Sequence, residues 1–536
     1  MKLAAALAML LTSCTASKPE PVLIKQGLLL GKREEKFEVI SYLGVPFAKP
    51  PVGHLRFKPP VMHSGWNGTY KAFEKNLPCW QAEKMKAMLR VKQFTEDCLV
   101  MNINAPISPG LKPVLVNIHG GAFNSLVALS VPKLAEAAQA IFVAPQYRLG
   151  VLGFLATESP PSNLGMQDQV LALRWVQENI RSFGGDPGKV MIFGGSGGGA
   201  AVAGHLTMPG SWGLYHAAGM DSPGGHQGWH APSDPRVRQS DDWMLPSLAV
   251  NNSYDYAVSL GCKNASDFEC LQQFDPGFLI EHATISKISR KKRWFFSAAL
   301  PVDGNFPLSQ IARGAWNRVP LIVGISSCEA CKIATFGSGP VGTNLTREEF
   351  RHDMSRFGFS GRRGAGISPD DLESWYERRI AAQGYWRTVA RVIGDSQWAC
   401  QGVLHAEAAV LSGGLTSGVY MYYLNYTHAN YEYPGGTHGY VNKWMFQRPY
   451  HPTDGEKELM SALAGYWSGL AKNGTPNTGK VSVHWPLFDP QVENNVFIMD
   501  VPHRAGTSID VQRPECQHWK PYLGWPQELL NSTNLI

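Results

Sequence analysis

The sequence predicts an α/β fold, in which a large, mostly parallel, twisted β-sheet is flanked by helices. Short apolar runs at residues 113–118 and 189–193 each lead into a glycine-rich turn, and residues 140–145 form a similar run. Such runs are typical of strands that are buried on both faces of a parallel sheet. Helical segments separate the runs, so strand and helix alternate as a parallel sheet requires.

The clearest predicted helix covers residues 168–183. Its apolar residues Val170, Leu173 and Val176 recur at the spacing of one helix face, and Gly184 follows as a stop signal. The strand that comes next runs through a glycine turn into an alanine-rich helical stretch. The order strand, glycine turn and helix is the unit from which a parallel sheet with covering helices is built.

The chain is long enough for a large core, with 536 residues of which 44% are hydrophobic and 17% charged. No repeat or long linker divides it, so we expect a single domain over residues 18–536. The net charge of +6 argues neither for nor against a polyanionic partner. We interpret the basic run at residues 290–293 as a solvated loop, with a heparin or membrane patch as the alternative. No nucleic-acid partner is predicted, and the oligomeric state stays open.

Residues 1–17 have the pattern of a secretory signal peptide. Lys2 supplies a positive charge, residues 3–11 are apolar, and residues 15–17 are small enough for cleavage. The apolar stretch is too short to span a bilayer, and no later run of spanning length follows it. The Leu-Thr-Ser-Cys run that ends at Cys14 also resembles a bacterial lipoprotein box, which would place a lipid on that cysteine.

Cysteines and glycosylation sequons favour the same secretory pathway. The chain has nine cysteines, and removal of Cys14 with the signal peptide leaves an even number for disulfides. Asparagine sequons for N-linked glycans are also frequent. They occur at Asn67, Asn251, Asn264, Asn344, Asn425, Asn473 and Asn531. We therefore expect a secreted glycoprotein.

A candidate nucleophile, Ser196, lies in the glycine turn after the strand at residues 189–193. The turn reads Gly-Gly-Ser-Gly-Gly from Gly194 to Gly198 and fits the Gly-x-Ser-x-Gly pattern of a nucleophile elbow. In such a turn the serine hydroxyl is exposed, and flanking glycines avoid collisions with the neighbouring strand and helix. The alternative is a purely structural glycine turn, but the strand before it and the helix after it favour catalysis.

A second glycine motif follows the strand at residues 113–118. It reads His-Gly-Gly-Ala-Phe from His119, and a turn of this kind exposes backbone amides that can stabilise an oxyanion. The predicted donors are the amides of Gly121, Ala122 and Gly197. His119 itself is interpreted as a packing residue, because the chemistry would use the backbone beside it.

These motifs and several longer blocks resemble the type-B carboxylesterases, the family that includes cholinesterases and bile-salt-activated lipase. The resemblance extends from about Gly44 to Trp519 and implies an α/β-hydrolase fold. The matching blocks are residues 42–51, 55–60, 96–99, 147–154 and 175–187.

The resemblance also implies the rest of a catalytic triad. Glu329 takes the position of the family's acid, after the run Leu-Ile-Val-Gly that ends at Gly324, and His438 takes the position of the base. The chain order serine, acid, histidine is that of α/β-hydrolases. The implied activity is hydrolysis of a small carboxylic ester by Ser196, with His438 as the general base and Glu329 orienting it. No cofactor or metal is required.

The same resemblance implies three disulfides, which close two short loops and one long loop: Cys79–Cys98, Cys262–Cys270 and Cys400–Cys516. Cys328 and Cys331 have no counterpart in the family. They flank Glu329, so a local bridge between them would stiffen the acid loop. A redox role is less expected, because no thioredoxin-like context surrounds them.

Three departures from the family pattern bear on the substrate. The family usually has Glu before the nucleophile and Ala after it, where this chain has Gly195 and Gly197, and it usually has Glu at the position of Val441. In cholinesterases the two glutamates form a buried network with a serine that matches Ser222. The cholinesterase tryptophan has no clear match, because Trp80 lies at the wrong end of a shorter loop. The missing carboxylates favour a neutral ester over a choline ester.

Two other functions remain as alternatives. A non-catalytic, cholinesterase-like binding or adhesion protein would have the same fold, and extra glycine on both sides of Ser196 would loosen the elbow. Against this, all three triad positions are present. A lipase or acyltransferase with the same triad is the narrower alternative, and the sequence does not fix the acyl and alcohol groups.

Overall fold

The computed structural model describes most of the chain. The described residues are 19–75, 77–158, 163–224, 243–284, 298–299, 306–357, 366–413, 418–426, 435–439, 441, 452–478, 483–492, 495–502, 504–506 and 513–530. The predicted signal peptide, the basic run at residues 290–293 and the sequon at Asn531 lie outside them.

The described strands form one large sheet, one small sheet and one pair. They are β1 (Val22–Ile24), β2 (Gly27–Leu30), β3 (Lys32–Arg33), β4 (Val39–Pro46), β5 (Thr69–Lys71), β6 (Val100–Pro106), β7 (Lys112–Asn117), β8 (Ile141–Pro145), β9 (Gly185–Gly195), β10 (Ala217–Asp221), β11 (Trp243–Met244), β12 (Ala298–Ala299), β13 (Leu321–Ser326), β14 (Val419–Leu424), β15 (Val496–Met499) and β16 (Arg504–Gly506). The small sheet consists of β1, β2 and β5, and the pair consists of β11 and β12.

The large sheet has eleven strands within these ranges, in the order β16-β15-β14-β13-β10-β9-β7-β8-β6-β4-β3. The strands from β8 to β15 in this order run parallel to their neighbours. At both edges the pairing is antiparallel. The sheet is therefore mixed at its edges and parallel at its centre, as the sequence predicts.

Helices surround the sheet. They are α1 (Met85–Leu89), α2 (Pro132–Ala138), α3 (Gly150–Phe154), α4 (Leu164–Asn179), α5 (Gly197–Thr207), α6 (Pro246–Ser259), α7 (Phe268–Leu271), α8 (Pro276–Thr284), α9 (Pro307–Ala312), α10 (Cys331–Ser338), α11 (Arg347–Arg356), α12 (Pro369–Trp375), α13 (Glu377–Gly394), α14 (Cys400–Gly413), α15 (Asp454–Asn473), α16 (Glu515–Trp519) and α17 (Gln527–Leu530).

The central strands separate two apolar cores. Successive side chains of a strand point to opposite faces, so Val114 and Val116 of β7 contribute to one core and Leu115 to the other. Helices α5 and α14 pack on the first face, and α2 and α15 cover the second. Strands β7, β8 and β10 are buried along their whole length, which explains their continuous apolar sequences.

The predicted helix at residues 168–183 is displaced from the observed one at its N-terminus. Helix α4 begins at Leu164, and a 3₁₀ turn over Ile180–Phe183 follows it. Helix α13 bends at Gly384, where φ is 76°, and a π-helical turn over Asp395–Ala399 connects it to α14. Among the described helices, none is long and apolar enough to cross a membrane.

Candidate active site

The candidate catalytic residues follow four of the five central strands of the sheet, β7, β9, β13 and β14, with β10 between β9 and β13. Parallel strands end at the same edge of a sheet, so the residues after them lie close together. The two glycine motifs follow β7 and β9, Glu329 follows β13, and His438 lies beyond β14 in the chain. The strand order of the sheet thus brings together residues that are far apart in sequence.

Ser196 occupies a strained turn between β9 and α5. Its φ is 58° and its ψ is −129°, a conformation that residues other than glycine rarely adopt. A Cβ on Gly194 would lie 2.5 Å from the Ile118 oxygen, and one on Gly198 only 2.2 Å from the same oxygen. The Ser196 amide donates a hydrogen bond of 2.9 Å to the Asp221 carbonyl. Glycine is therefore required at both ends of this nucleophile elbow.

The loop after β7 presents backbone amides next to Ser196. A Cβ on Gly120 would lie 3.3 Å from the Ser196 Cβ, which shows how closely this loop approaches the nucleophile. The backbone has positive φ at Gly121 (95°) and Ala122 (49°). Within the described part of the chain, the amides of Gly121, Ala122 and Gly197 donate no hydrogen bond. They are free to bind an oxyanion.

Glu329 and His438 form a hydrogen-bonded pair. Glu329 Oε2 lies 2.9 Å from His438 Nδ1. The other oxygen, Oε1, accepts hydrogen bonds of 2.6 Å from the Ser222 hydroxyl and from the Ser326 amide. The Glu329 side chain is completely buried. Because each oxygen has a partner, the carboxylate is fixed in place and holds the imidazole in one orientation.

Backbone contacts also join the acid loop to the base loop. The His438 amide donates a hydrogen bond of 3.2 Å to the Glu329 carbonyl, and the Cys328 amide donates one of 2.9 Å to the Gly436 carbonyl. The Gly436 amide in turn donates 2.9 Å to the Ser327 hydroxyl. The acid–base pair therefore does not depend on a single side-chain hydrogen bond for its geometry.

His438 Nε2 is the ring nitrogen that Glu329 does not engage. It is buried and makes no hydrogen bond to any described residue, Ser196 included. Catalytic hydrogen bonds are often long before substrate binds, and Nδ1 is already engaged by Glu329, so Nε2 is the nitrogen available to accept a proton. The indole of Trp398 packs on the imidazole, with ring centroids 4.1 Å apart. The sequence analysis missed Trp398, which belongs to the π-helical turn.

Four disulfides occur among the described residues. One of them, Cys328–Cys331, encloses Glu329 in a loop of four residues and supports the turn between β13 and α10. The others close two short loops and one long loop: Cys79–Cys98, Cys262–Cys270 and Cys400–Cys516.

Asp221 is a second carboxylate near the triad that the sequence analysis missed. It ends β10 and accepts a hydrogen bond of 2.6 Å from the Tyr422 hydroxyl. Burial is the main reason that the pKa of Asp221 is raised to about 7; the hydrogen bond from Tyr422 opposes this effect, and the nearby charge of Glu329 adds to it. The signal in the sequence was a charged residue at the end of an otherwise apolar strand.

His119 is buried and stacks on Tyr147, with ring centroids 4.3 Å apart. Burial lowers the pKa of His119 to about 4, so the ring is neutral at physiological pH. The Tyr147 hydroxyl donates a hydrogen bond of 2.8 Å to the His119 carbonyl. These contacts support the interpretation of His119 as a packing residue that anchors the loop after β7.

The positions that depart from the family pattern are all buried. Gly195 and Gly197 flank the candidate nucleophile Ser196, and Val441 contributes to the apolar core on the α15 side of the sheet together with Tyr422. Trp80 packs against Phe94, with ring centroids 6.0 Å apart. An apolar valine therefore stands where the family pattern has a glutamate.

The sheet order, the strained serine turn and the buried acid–base pair together define an α/β-hydrolase. The chain belongs to the carboxylesterase family, whose family model matches residues 18–519. It is similar to a cholinesterase of Mus musculus, with 27% identity over 530 residues that cover 90% of this chain and 83% of the relative. The fold and the family that the sequence predicts are thus confirmed.

Proposed function

We propose that this carboxylic ester hydrolase acts through an acyl-enzyme on Ser196. The hydrogen bond of 2.9 Å between Glu329 and His438 is the observation that carries the proposal. It fixes the imidazole with Nε2 free, while the elbow exposes the serine and the amides opposite have no acceptor. A nucleophile, an oriented base and an oxyanion site are the parts that acyl transfer needs.

In the proposed reaction, His438 Nε2 takes the proton of the Ser196 hydroxyl as its oxygen attacks the ester carbonyl. The negative charge that develops on the carbonyl oxygen is stabilised by the amides of Gly121, Ala122 and Gly197. The imidazolium returns its proton to the leaving alcohol. Water then repeats the same steps on the acyl-enzyme and releases the carboxylic acid, while Glu329 stabilises the imidazolium in both halves.

Substitution of Ser196 tests this mechanism. We expect Ser196→Ala to reduce kcat on a p-nitrophenyl ester by at least about 10⁴-fold, because only binding and the oxyanion site remain. Ser461→Ala, on the exposed side of α15, is the matched control and should retain full activity. A fluorophosphonate should label the wild type and the control and fail to label Ser196→Ala.

The same experiment separates the other candidate functions. A binding or adhesion protein would show no hydrolysis and no labelling in the wild type. A lipase would prefer aggregated esters to monomeric ones, and an acyltransferase would transfer the acyl group to an added alcohol. Ester hydrolysis that persists in Ser196→Ala would overturn the assignment of the nucleophile.

We propose neutral esters as the substrates. Gly195 and Val441 contribute no charge where the family pattern has carboxylates, so two negative charges that would attract a cation are missing. One favourable contact of this kind contributes about 1–2 kcal/mol. We therefore expect kcat/KM for a neutral ester to exceed that for the choline ester of the same acyl group by about five- to thirty-fold. Equal or faster hydrolysis of the choline ester would contradict this.

We also propose that the protein is secreted as a glycoprotein with residues 1–17 removed. The disulfides support an oxidising compartment, and the sequon residues Asn67, Asn264, Asn344 and Asn473 are exposed. Secreted protein should begin near residue 18 by N-terminal sequencing and lose mass on treatment with an N-glycosidase. Retention in the cell with an intact N-terminus would contradict the proposal.

A further inference from the structure

Asp221 connects the strand of the nucleophile to the strand of the acid. It is the last residue of β10, which pairs with β9 on one side and with β13 on the other. Its carbonyl accepts the hydrogen bond from the Ser196 amide, and the amide of the next residue, Ser222, donates 2.8 Å to Gly324 in β13. The backbone at Asp221 is therefore in contact with both halves of the site.

The Asp221 side chain is incompletely satisfied. Oδ1 accepts 2.6 Å from Tyr422 and lies 3.4 Å from the Ser222 hydroxyl. That hydroxyl has one hydrogen, and its distance of 2.6 Å to Glu329 shows that the hydrogen is donated there. Oδ2 is buried and has no hydrogen-bond partner in the described part of the structure. Tyr422 is thus the one close donor that the described residues offer Asp221.

The Tyr422 ring occupies the space beside Gly324 that a side chain at that position would fill. A Cβ on Gly324 would lie 1.7 Å from the Tyr422 Cζ and 2.2 Å from its oxygen. Glycine at position 324 is therefore required for the phenol to reach Asp221 across β13. The contact is built into two strands of the sheet, and one of them, β14, precedes His438 in the chain.

We propose that Asp221 is a positioning residue of the hydrolase, which competes with Glu329 for the Ser222 hydroxyl and thereby tunes the catalytic base. With Asp221 protonated, Ser222 donates to Glu329 alone. With Asp221 ionised, two carboxylates share one donor, and the second negative charge stabilises the imidazolium of His438. This inference rests on the proposed ester hydrolysis.

The groups that face Asp221 make its charge variable near neutral pH. Burial raises the pKa of Asp221, and the charge of Glu329 raises it further. The hydrogen bonds from Tyr422 and Ser222 and the charge of His438 lower it, and the result is a pKa of about 7. The charge of Asp221 should therefore change near neutral pH, close to the imidazole of His438.

The pH dependence of kcat/KM on a neutral p-nitrophenyl ester tests this role. Asp221→Asn removes the charge and keeps the shape, so the acid limb should move to lower pH by about 0.5–1 unit. We expect kcat to fall about three- to thirty-fold with little change in KM, because the lost charge acts on the imidazolium of the transition state. Tyr422→Phe should move the limb in the same direction by less, since Asp221 then stays protonated to higher pH.

Asp353→Asn is the matched control. Asp353 is a buried carboxylate on α11 that also accepts a hydrogen bond from a serine, Ser338, and it has no contact with the triad in the described structure. Its substitution should leave the acid limb in place. If the wild type hydrolyses esters and the acid limb of its pH profile is unchanged in both Asp221→Asn and Tyr422→Phe, this inference is wrong and the proposed function still holds. A wild type inert towards esters would overturn the proposed function and this inference with it.

Discussion

Glu329 and Asp221 are two buried carboxylates that share one neighbour, the Ser222 hydroxyl, and differ in the rest of their surroundings. Glu329 accepts hydrogen bonds from the Ser222 hydroxyl and a backbone amide and pairs with the His438 imidazole, so both of its oxygens are engaged. Asp221 receives a close hydrogen bond from Tyr422, and its second oxygen has no partner among the described residues. Burial is nearly the same for both, at 2% and 7% exposure.

The comparison shows that the supply of hydrogen-bond donors, and not burial, distinguishes two carboxylates in one site. A carboxylate with several donors is held rigidly and can orient a base. Burial raises the pKa of Asp221, and with one close donor and a bare oxygen this carboxylate has few hydrogen bonds to oppose that effect. The site thus combines Glu329, which is held rigidly in place, with Asp221, whose charge varies with pH.

The largest effect should come from neutralising the fixed carboxylate. In Glu329→Gln the side chain keeps its size but no longer stabilises the imidazolium, so we expect kcat to fall by about 10³- to 10⁴-fold. Steady-state kinetics on a neutral ester measures the loss, and the melting temperature shows whether the fold persists. A fall of less than about tenfold in a folded variant would mean that another group orients His438.

Asp221, the carboxylate whose charge varies with pH, should lower the stability of the fold as the pH rises. Because the folded pKa of Asp221 is raised from 3.8 to about 7, its contribution to stability is present below pH 4 and is lost as the pH rises through 7. At about 1.4 kcal/mol per pKa unit, the loss is at most about 4 kcal/mol. We expect Asp221→Asn to gain stability relative to the wild type between pH 5 and pH 8.

Thermal unfolding at several pH values checks this expectation, with Asp353→Asn measured in parallel. A difference between Asp221→Asn and the wild type that does not change with pH would show that Asp221 has an ordinary pKa.

A smaller effect should follow from crowding the Tyr422 ring. Gly324→Ala places a Cβ inside that ring, so the phenol must move away from Asp221, and overpacking of this kind costs about 1–3 kcal/mol. Gly210→Ala is the control, because a Cβ there meets no atom within 4 Å. Denaturant unfolding measures both variants. A Gly324→Ala protein as stable as the control would show that Tyr422 is not held in place as described.

The sequence predicted the elbow better than the acid–base pair, for a physical reason. Glycine at positions 194 and 198 is demanded by contacts of 2.2–2.5 Å, and such steric demands leave a local pattern in the chain. The bond between Glu329 and His438 joins residues 109 positions apart and leaves no local pattern, so only the family resemblance located it.

Asp221 and Trp398 escaped sequence analysis because their roles depend on neighbours from other elements. Asp221 matters through Tyr422 on β14, and Trp398 through its contact with His438. The fold class followed directly from the alternation of apolar runs and helices. Strand ends were less certain, since β9 begins at Gly185, ahead of the apolar run at residues 189–193. Hydrogen bonding to β7 extends the strand into a polar segment.

The order of the proposed catalytic residues along the chain has a consequence for biosynthesis. Ser196 leaves the ribosome first, and the candidate base His438 follows more than two hundred residues later, beyond three further strands of the large sheet. Until that last part is made and folded, the nascent chain carries a serine with no activating partner. With the proposed triad, the protein gains activity only once the segment around His438 has folded, and the Cys400–Cys516 disulfide keeps that segment attached to the rest of the protein even after a single proteolytic cut within its loop.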